Sequence, residues 1–332
     1  MSVNNVSPKP SGTRGLVAPE LLPLLDFLPS FDFNADMLRV VRAGMTGQRP
    51  TPPLSPEQQA VACEERFVPG PPGAPDVRVL VYTPPPGRNA AARPAYLHLH
   101  GGGYILGDPE LQDGPNRSLA AELGYVVVSV DYRLAPETRF PGAVEDCYAA
   151  LTWLYVHAEH LGVDRSRIAI GGESAGGGHA AALAIHARNR GEFPICLQLL
   201  DSPMLDDRTG SVSDPHPYCG EFVWSPASNR FGWQSLLGME PGGPEVSAQA
   251  VPARVADLGG LPPTLIVVGA LDLFLEESME YARRLVRAGV PTELHVIPGA
   301  FHGALLAGAA APQGELCTRL CRSALARALT PA

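Results

Sequence analysis

Ser174 lies in Gly172-Glu173-Ser174-Ala175-Gly176, a G-x-S-x-G spacing. A serine between two such glycines suits nucleophilic attack on an acyl carbon. The turn that exposes its hydroxyl is sharp and strained, and leaves no room for Cβ atoms two residues away. The flanks agree, since an aliphatic run, RIAIGGE, precedes the serine and an alanine-rich stretch, SAGGGHAAALAI, follows it. A helix begun there aims its N-terminus at developing negative charge. A glycine-rich helix start is the plainer explanation of the motif, but the strand–turn–helix setting favours catalysis.

Acyl transfer also needs donors for an oxyanion. In YLHLHGGGYILGD a strand-like run ends at His100 and three glycines follow, Gly101 to Gly103. Backbone without side chains approaches a substrate closely, so the Gly102 and Gly103 N–H groups, with that of Ala175, could supply three donors. No Gly-Lys-Ser/Thr follows, which disfavours a phosphate-binding loop.

A base is required next. Of nine histidines, His302 in VIPGAFHGA alone combines a late position, a loop after a strand-like run and flanking glycines. His98 alternates within a strand and reads as packed, and His100 reads as holding the glycine loop by hydrogen bonds. An acid is the remaining member. In LIVVGALDLFLEES an apolar run stops before Asp272, Glu276 and Glu277, and the stretch alone does not choose among them.

These residues must be held by a scaffold. Eight strand-like runs appear from about residue 63: CEERFV, DVRVLVYT, AYLHLH, YVVVSVD, RIAIGGE, CLQLLD, TLIVVGA and TELHVIP. The later ones are apolar nearly throughout, as in strands buried on both faces. Helix-like segments alternate with them, which predicts right-handed crossovers and a mostly parallel eight-stranded sheet flanked by helices. The first two runs, joined without a helix, are candidates for an antiparallel pair. Residues 204–260 interrupt the rhythm, with SNRFGWQSLLG as the helix within them. Together with the Pro-rich residues 1–60 they are expected to form a cap over the binding face of a core made of 61–203 and 261–332.

Composition narrows the function classes. With 332 residues, 45% hydrophobic and 18% charged, the chain can bury a large core. A net charge of −9 with scattered basic residues argues against nucleic acid or an anionic membrane as partner. MSVNNVSPKPSGTRG lacks the apolar region of a secretory signal, and no stretch is long and apolar enough to span a bilayer. Six cysteines without a CxxC pair predict reduced thiols, a cytoplasmic setting and no metal site.

HGGGY, DYRLAPE, GGESAGG, SPMLDDRT and PGAFHG, in this order, resemble the hormone-sensitive-lipase-like (bacterial family IV) esterases of the α/β-hydrolase fold. The resemblance spans roughly residues 63–325. It implies a serine carboxylesterase without cofactor, acting on small-molecule esters, with chain order Ser, acid, His. Ser174 is then the nucleophile, His302 the base, and Gly102, Gly103 and Ala175 the oxyanion donors. Asp272, just past the seventh run, becomes the acid, while Glu276 and Glu277 read as first-turn helix acids. Many relatives have Asp-Pro-Leu where this chain has Asp272-Leu273-Phe274, and Asp where it has Glu173. Asp131 and Arg133 of DYRLAPE are expected to brace the active-site loops.

The expected substrates are short- to medium-chain, partly apolar esters, because a cap should enclose a pocket. Amide or formamide hydrolysis by the same triad is the alternative. A non-catalytic ligand receptor is a third reading, disfavoured because His302 is present. The aromatics near the cap either line an acyl pocket or form the cap's own core, with Tyr104, Phe222, Trp224 and Phe31 as pocket candidates. Asp206, Asp207 and Asp214 read as a solvated acidic face. A homodimer is suggested by the family alone.

Overall fold

Valine, isoleucine and leucine crowd the central runs because their side chains are covered on both faces. The computed structural model describes residues 12–28, 30–45, 53–85, 92–211 and 215–329. Most of the opening stretch, residues 1–11, and Asp214 lie outside the described residues, so the expectations resting on them are not addressed structurally.

Eight strands, β1 (Ala62–Val68), β2 (Val77–Thr83), β3 (Arg93–Leu99), β4 (Val126–Asp131), β5 (Val163–Glu173), β6 (Leu197–Asp201), β7 (Thr264–Gly269) and β8 (Thr292–Ile297), form one sheet in the order β1-β2-β4-β3-β5-β6-β7-β8. β2 pairs antiparallel with β1 and β4, and every pair from β4 through β8 is parallel. The helices described are α1 (Ala35–Met45), α2 (Pro56–Gln59), α3 (Asp113–Leu123), α4 (Gly142–Val156), α5 (Ala175–Arg190), α6 (Pro226–Leu237), α7 (Leu275–Arg287), α8 (Ala304–Ala307) and α9 (Pro312–Leu329). Among the described residues, no helix is long and apolar enough to cross a membrane.

Helices cover both faces of the sheet. One core gathers Leu151 of α4, Leu183 of α5 and Leu285 of α7 against Leu97, Val128 and Ile170. A second gathers Leu119 of α3 and Leu325 of α9 against Val127, Ala169 and Val267. α5 is buried almost around its circumference, which only an alanine- and glycine-rich helix can be at this closeness. α7 keeps an amphipathic pattern, burying Leu275, Ser278, Tyr281, Ala282 and Leu285 at helical spacing.

A third core contains Leu38 of α1, Tyr104, Ala175, Trp224, Trp233, Leu236, Val251 and Phe274. It therefore joins the N-terminal segment, the 204–260 insertion and the loops after β3, β5 and β7. The two segments also pair directly. Phe31 bridges to Trp224 as an isolated parallel pair, Phe33 N donates to Ser228 Oγ at 3.0 Å, and Ser225 Oγ donates to Asp32 at 2.6 Å. Arg42 of α1 ties this layer to the loops after β3 and β4, reaching the carbonyls of Ile105 at 3.0 Å and Ala135 at 2.7 Å.

Asp207, expected on a solvated face, is buried. Arg254 holds it at 2.6 Å and the Gly242 N–H donates to it at 2.6 Å. A charge in that position is tolerated only because it is paired and hydrogen-bonded. Arg133 likewise pairs with buried Asp146 of α4 at 2.7 Å, and Asp131 pairs with Arg78 at 3.0 Å, so neither braces the active-site loops directly.

Candidate active site

Ser174 follows β5 and precedes α5 with φ 55° and ψ −120°, a positive-φ conformation that costs a non-glycine residue free energy. The two glycines of the motif have a specific reason. A Cβ on Gly172 or on Gly176 would overlap the Leu99 carbonyl oxygen at the end of β3. The nucleophile turn is thus pressed onto the strand that leads into the glycine loop, and a Cβ on Gly101 would come within 3.5 Å of the Ser174 Cβ. Backbone bonds fix the turn, since Ser174 N donates to Asp201 O at 2.8 Å and Met204 N donates to Ser174 O at 3.0 Å.

Ser174 Oγ lies 3.0 Å from His302 Nε2, and His302 Nδ1 lies 2.9 Å from Asp272 Oδ2 and 3.1 Å from Oδ1. The three residues that the sequence reading brought together as nucleophile, base and acid are therefore in hydrogen-bond contact. Asp272 is fully buried, and its Oδ1 also accepts from Phe274 N at 2.9 Å. That bond orients the carboxylate without the proline common at position 273 in relatives. The Phe274 ring stands edge-on to the His302 imidazole, with centroids 5.0 Å apart. The acid loop and the histidine loop are tied by Ala270 N to Ile297 O and Leu271 N to Ala300 O, both 2.9 Å.

Electrostatics favour a basic imidazole. Burial alone pulls the His302 pKa down, but the Asp272 charge and hydrogen bond, with Asp201 behind them, outweigh it, and the net shift is upward from 6.5. Asp201 is pushed up to about 7, first by burial and then by the Glu173 charge.

The glycine loop is held from behind. His100 Nδ1 donates to Gly101 O at 2.9 Å, and burial lowers the His100 pKa to about 4, so the ring is neutral. The Tyr132 ring stacks on it at 4.2 Å, and the Tyr132 hydroxyl donates to His100 O at 2.5 Å. Gly102 and Gly103 both have positive φ, 132° and 61°, and a Cβ on Gly103 would overlap the Trp224 indole. Among the described residues, the N–H groups of Gly102, Gly103 and Ala175 donate to no protein acceptor. They are open donors beside the serine, which is the requirement for holding an oxyanion.

Tyr104, a pocket candidate from the sequence, is packed in the core. Its ring is 2% exposed, packed on His179 and Trp233, and its hydroxyl donates to Met204 O at 2.7 Å. It braces the glycine loop against the loop after β6. Phe222 is partly buried against Phe301 at 5.6 Å, Trp224 is nearly enclosed on Gly103, and Phe31 is partly exposed beside Phe33.

Three contributors escaped the sequence reading. Tyr132 was hidden beside the charged residues of DYR. Glu173, just before the nucleophile, reaches a strand residue, His98 Nε2 at 3.2 Å, whose Nδ1 meets Ser129 Oγ at 2.8 Å. Glu277 begins α7 as expected, yet it is buried and accepts from Leu205 N at 2.6 Å. Burial pushes its carboxyl pKa well up. Glu276 beside it is exposed. The difference is where each position faces on the helix, which a pair of adjacent acids does not declare.

Comparison with known proteins places this geometry. Residues 96–306 match the family model described as alpha/beta hydrolase fold. The chain is 36% identical to carboxylesterase NlhH of Mycobacterium tuberculosis over 97% of this chain and 99% of that protein. It is 34% identical to an ethyl acetate hydrolase of Pseudomonas putida over 68% of this chain and 70% of that protein. Among solved structures, a bacterial heroin esterase superposes with a TM-score of 0.84 at 39% identity, covering 96% of this chain and all of the other. The chain belongs to the α/β-hydrolase fold family, among its hormone-sensitive-lipase-like esterases.

Proposed function

We propose that this protein is a serine carboxylesterase in which Ser174, His302 and Asp272 form the catalytic triad and Gly102, Gly103 and Ala175 the oxyanion hole. The observation that carries the reading is the continuous contact from Ser174 Oγ through both His302 nitrogens to a buried carboxylate. The relatives named as carboxylesterase, ethyl acetate hydrolase and heroin esterase support ester substrates.

The steps follow from the atoms. His302 Nε2 accepts the Ser174 hydroxyl proton as Oγ attacks the ester carbonyl carbon. The carbonyl oxygen becomes an oxyanion facing the three open N–H groups. His302, doubly protonated and stabilised by Asp272, then gives the Nε2 proton to the leaving alcohol, and the acyl group remains on Ser174. Water repeats the sequence, releasing the acid and restoring the serine. Short- to medium-chain acyl groups are the proposed substrates, a reading supported by the Trp224 indole lying on Gly103 with Phe31 and Phe33 of the N-terminal segment against it.

A panel of esters graded by acyl length, assayed with the natural enzyme and with Ser174→Ala, tests the reading. The natural enzyme should turn over activated short-chain esters, and the variant should be at least about 1,000-fold slower, since removing a triad member forfeits most of the acceleration. Matched activity in the two proteins would remove Ser174 from the chemistry. A higher kcat/KM on long chains than on short ones would refute the size limit, and a preference for matched amides would turn the reading to amide hydrolysis.

A further inference from the structure

Among the described residues, four non-glycine residues have positive φ: Tyr104, Ser174, Ser202 and Val223. The first three follow β3, β5 and β6 at the sheet's C-terminal edge. Val223, at φ 63°, comes from the insertion and is the β-branched member of the set, the side-chain type least tolerant of that conformation. Trp224 N donates to Phe222 O at 2.7 Å, closing a three-residue turn around it. Such a γ-turn with positive φ at its centre is rare and strained. Strain of this kind persists only where surrounding structure imposes it, and it concentrates at functional sites.

The surroundings that impose it are the two walls of the active site. On one side Phe222 packs on Phe301, immediately before His302. Val223 Cγ1 lies 3.9 Å from where a Cβ of Gly303 would stand, immediately after His302. On the other side the Trp224 indole lies on Gly103, is nearly buried, and is pinned by Nε1 donating to Asn229 Oδ1 at 3.2 Å. Three consecutive residues thus cross from the histidine loop to the glycine loop. Phe222 and Val223 pack with the core beneath His302, whereas Trp224 belongs to the core that contains Tyr104 and Ala175. The tight turn lets adjacent residues serve opposite walls, and it leaves Val223 partly exposed between them.

The chemistry gives this position a meaning, on the esterase reading above. The leaving-group oxygen must come within hydrogen-bond reach of His302 Nε2 to take its proton. The carbonyl oxygen must meanwhile face Gly102 and Gly103. The alcohol half of the ester therefore passes the residues flanking His302, and the acyl half does not. We propose that Val223 is a specificity-determining residue that restricts branching at the alcohol carbon of the substrate, through the isopropyl volume that the strained turn holds beside Gly303.

The test compares kcat/KM for ethyl butanoate, tert-butyl butanoate and ethyl 2,2-dimethylpropanoate in the natural enzyme, Val223→Ala, Val223→Gly and Val223→Thr. A methylene's worth of pocket volume changes discrimination by roughly tenfold or more. Val223→Ala should raise the tert-butyl to ethyl ratio about tenfold while moving the acyl-branch ratio less than twofold. Val223→Gly, which adopts positive φ freely, should raise the same ratio without a lower Tm than Val223→Ala. Val223→Thr, which keeps the branched volume, should retain the natural ratio. An unchanged alcohol ratio in both smaller variants, an equal shift in the acyl ratio, or loss of discrimination in Val223→Thr would each overturn the proposal. A natural enzyme inert toward all three esters would overturn the esterase reading and this one with it. Activity with the wrong ratios overturns this one alone.

Discussion

Asp272→Asn is the substitution whose outcome the geometry specifies most fully. Asp272 Oδ1 accepts from Phe274 N, while the carboxylate as a whole faces His302 Nδ1. In asparagine only the oxygen accepts, so it stays on Phe274 N and the amide NH2 takes the place of Oδ2. The NH2 group donates, which forces His302 Nδ1 to be the unprotonated nitrogen. The ring proton then sits on Nε2 and points at Ser174 Oγ, the atom whose proton Nε2 should accept. The neutral base is the wrong tautomer.

The charge adds to the loss. When Ser174 attacks, His302 becomes a buried cation, and Asp272 is fully buried with it. Leaving one partner of a buried ion pair unpaired costs about 3–5 kcal/mol. At about 1.36 kcal/mol per tenfold, that alone slows the reaction roughly 100- to 5,000-fold. The tautomer penalty carries the expected loss in kcat to about 10,000-fold. The assay is steady-state hydrolysis of an activated short-chain ester, with circular dichroism to show that the variant is folded. The pH profile provides a second readout. His302 works unprotonated, and its pKa lies above 6.5, so natural activity falls as pH drops through that raised value. Without the Asp272 charge the burial effect prevails, and the acid limb should move to lower pH. A loss under tenfold, an unmoved acid limb, or an equal loss in Glu276→Gln would refute the assignment.

Glu277→Leu leaves the buried Leu205 N–H without its acceptor, which costs about 1–3 kcal/mol and should lower Tm and kcat together, whereas Glu277→Gln keeps an acceptor and should lower them much less. Because burial raises the Glu277 pKa well above 4.5, the folded chain holds a proton that the unfolded chain releases, so this group's contribution to stability falls as pH rises above 4.5. Glu277→Gln cannot ionise and should flatten that part of the Tm–pH curve, and parallel curves for the two proteins would count against a buried neutral acid. Gly176→Ala should reduce kcat at least about 100-fold, because its methyl overlaps two backbone oxygens, Leu99 O and His100 O, and a shift of ~1 Å in the nucleophile has that cost. Natural activity in Gly176→Ala would show that the serine turn is not set by this contact.

The centre of the sheet was legible because strands buried on both faces must be apolar, whereas the edge strands β1 and β8, largely exposed, were placed by their alternation with the segments around them. The Ser174, His302 and Asp272 contacts were legible for a related reason: each residue follows a strand, so the strand ends converge on one edge. The burial of Tyr104 was not legible, because proximity to the glycine loop in sequence does not say on which side of the loop a ring falls. Asp207 was misjudged because a charged residue is read as exposed unless its partner is visible, and Arg254 lies 47 residues away. Glu277 is the first-turn acid it was read as, but its burial was not visible because Leu205 N lies 72 residues away.

What composition could not announce is that two adjacent peptide groups link the three loops. The Met204 N–H reaches Ser174 O, the Met204 carbonyl accepts from the Tyr104 hydroxyl, and the next N–H, that of Leu205, donates to Glu277 at the start of α7. The nucleophile turn, the glycine loop and the helix that follows Asp272 are therefore fixed to the same two residues after β6. Catalysis by preorganised groups requires their mutual positions to be held more tightly than loops hold themselves. A backbone hub meets that requirement without a recognisable residue of its own, since Met204 and Leu205 contribute peptide groups and any side chain that packs would leave those bonds intact. The side chains that use the hub, Tyr104 and Glu277, are where a sequence reader sees only an aromatic and an acid.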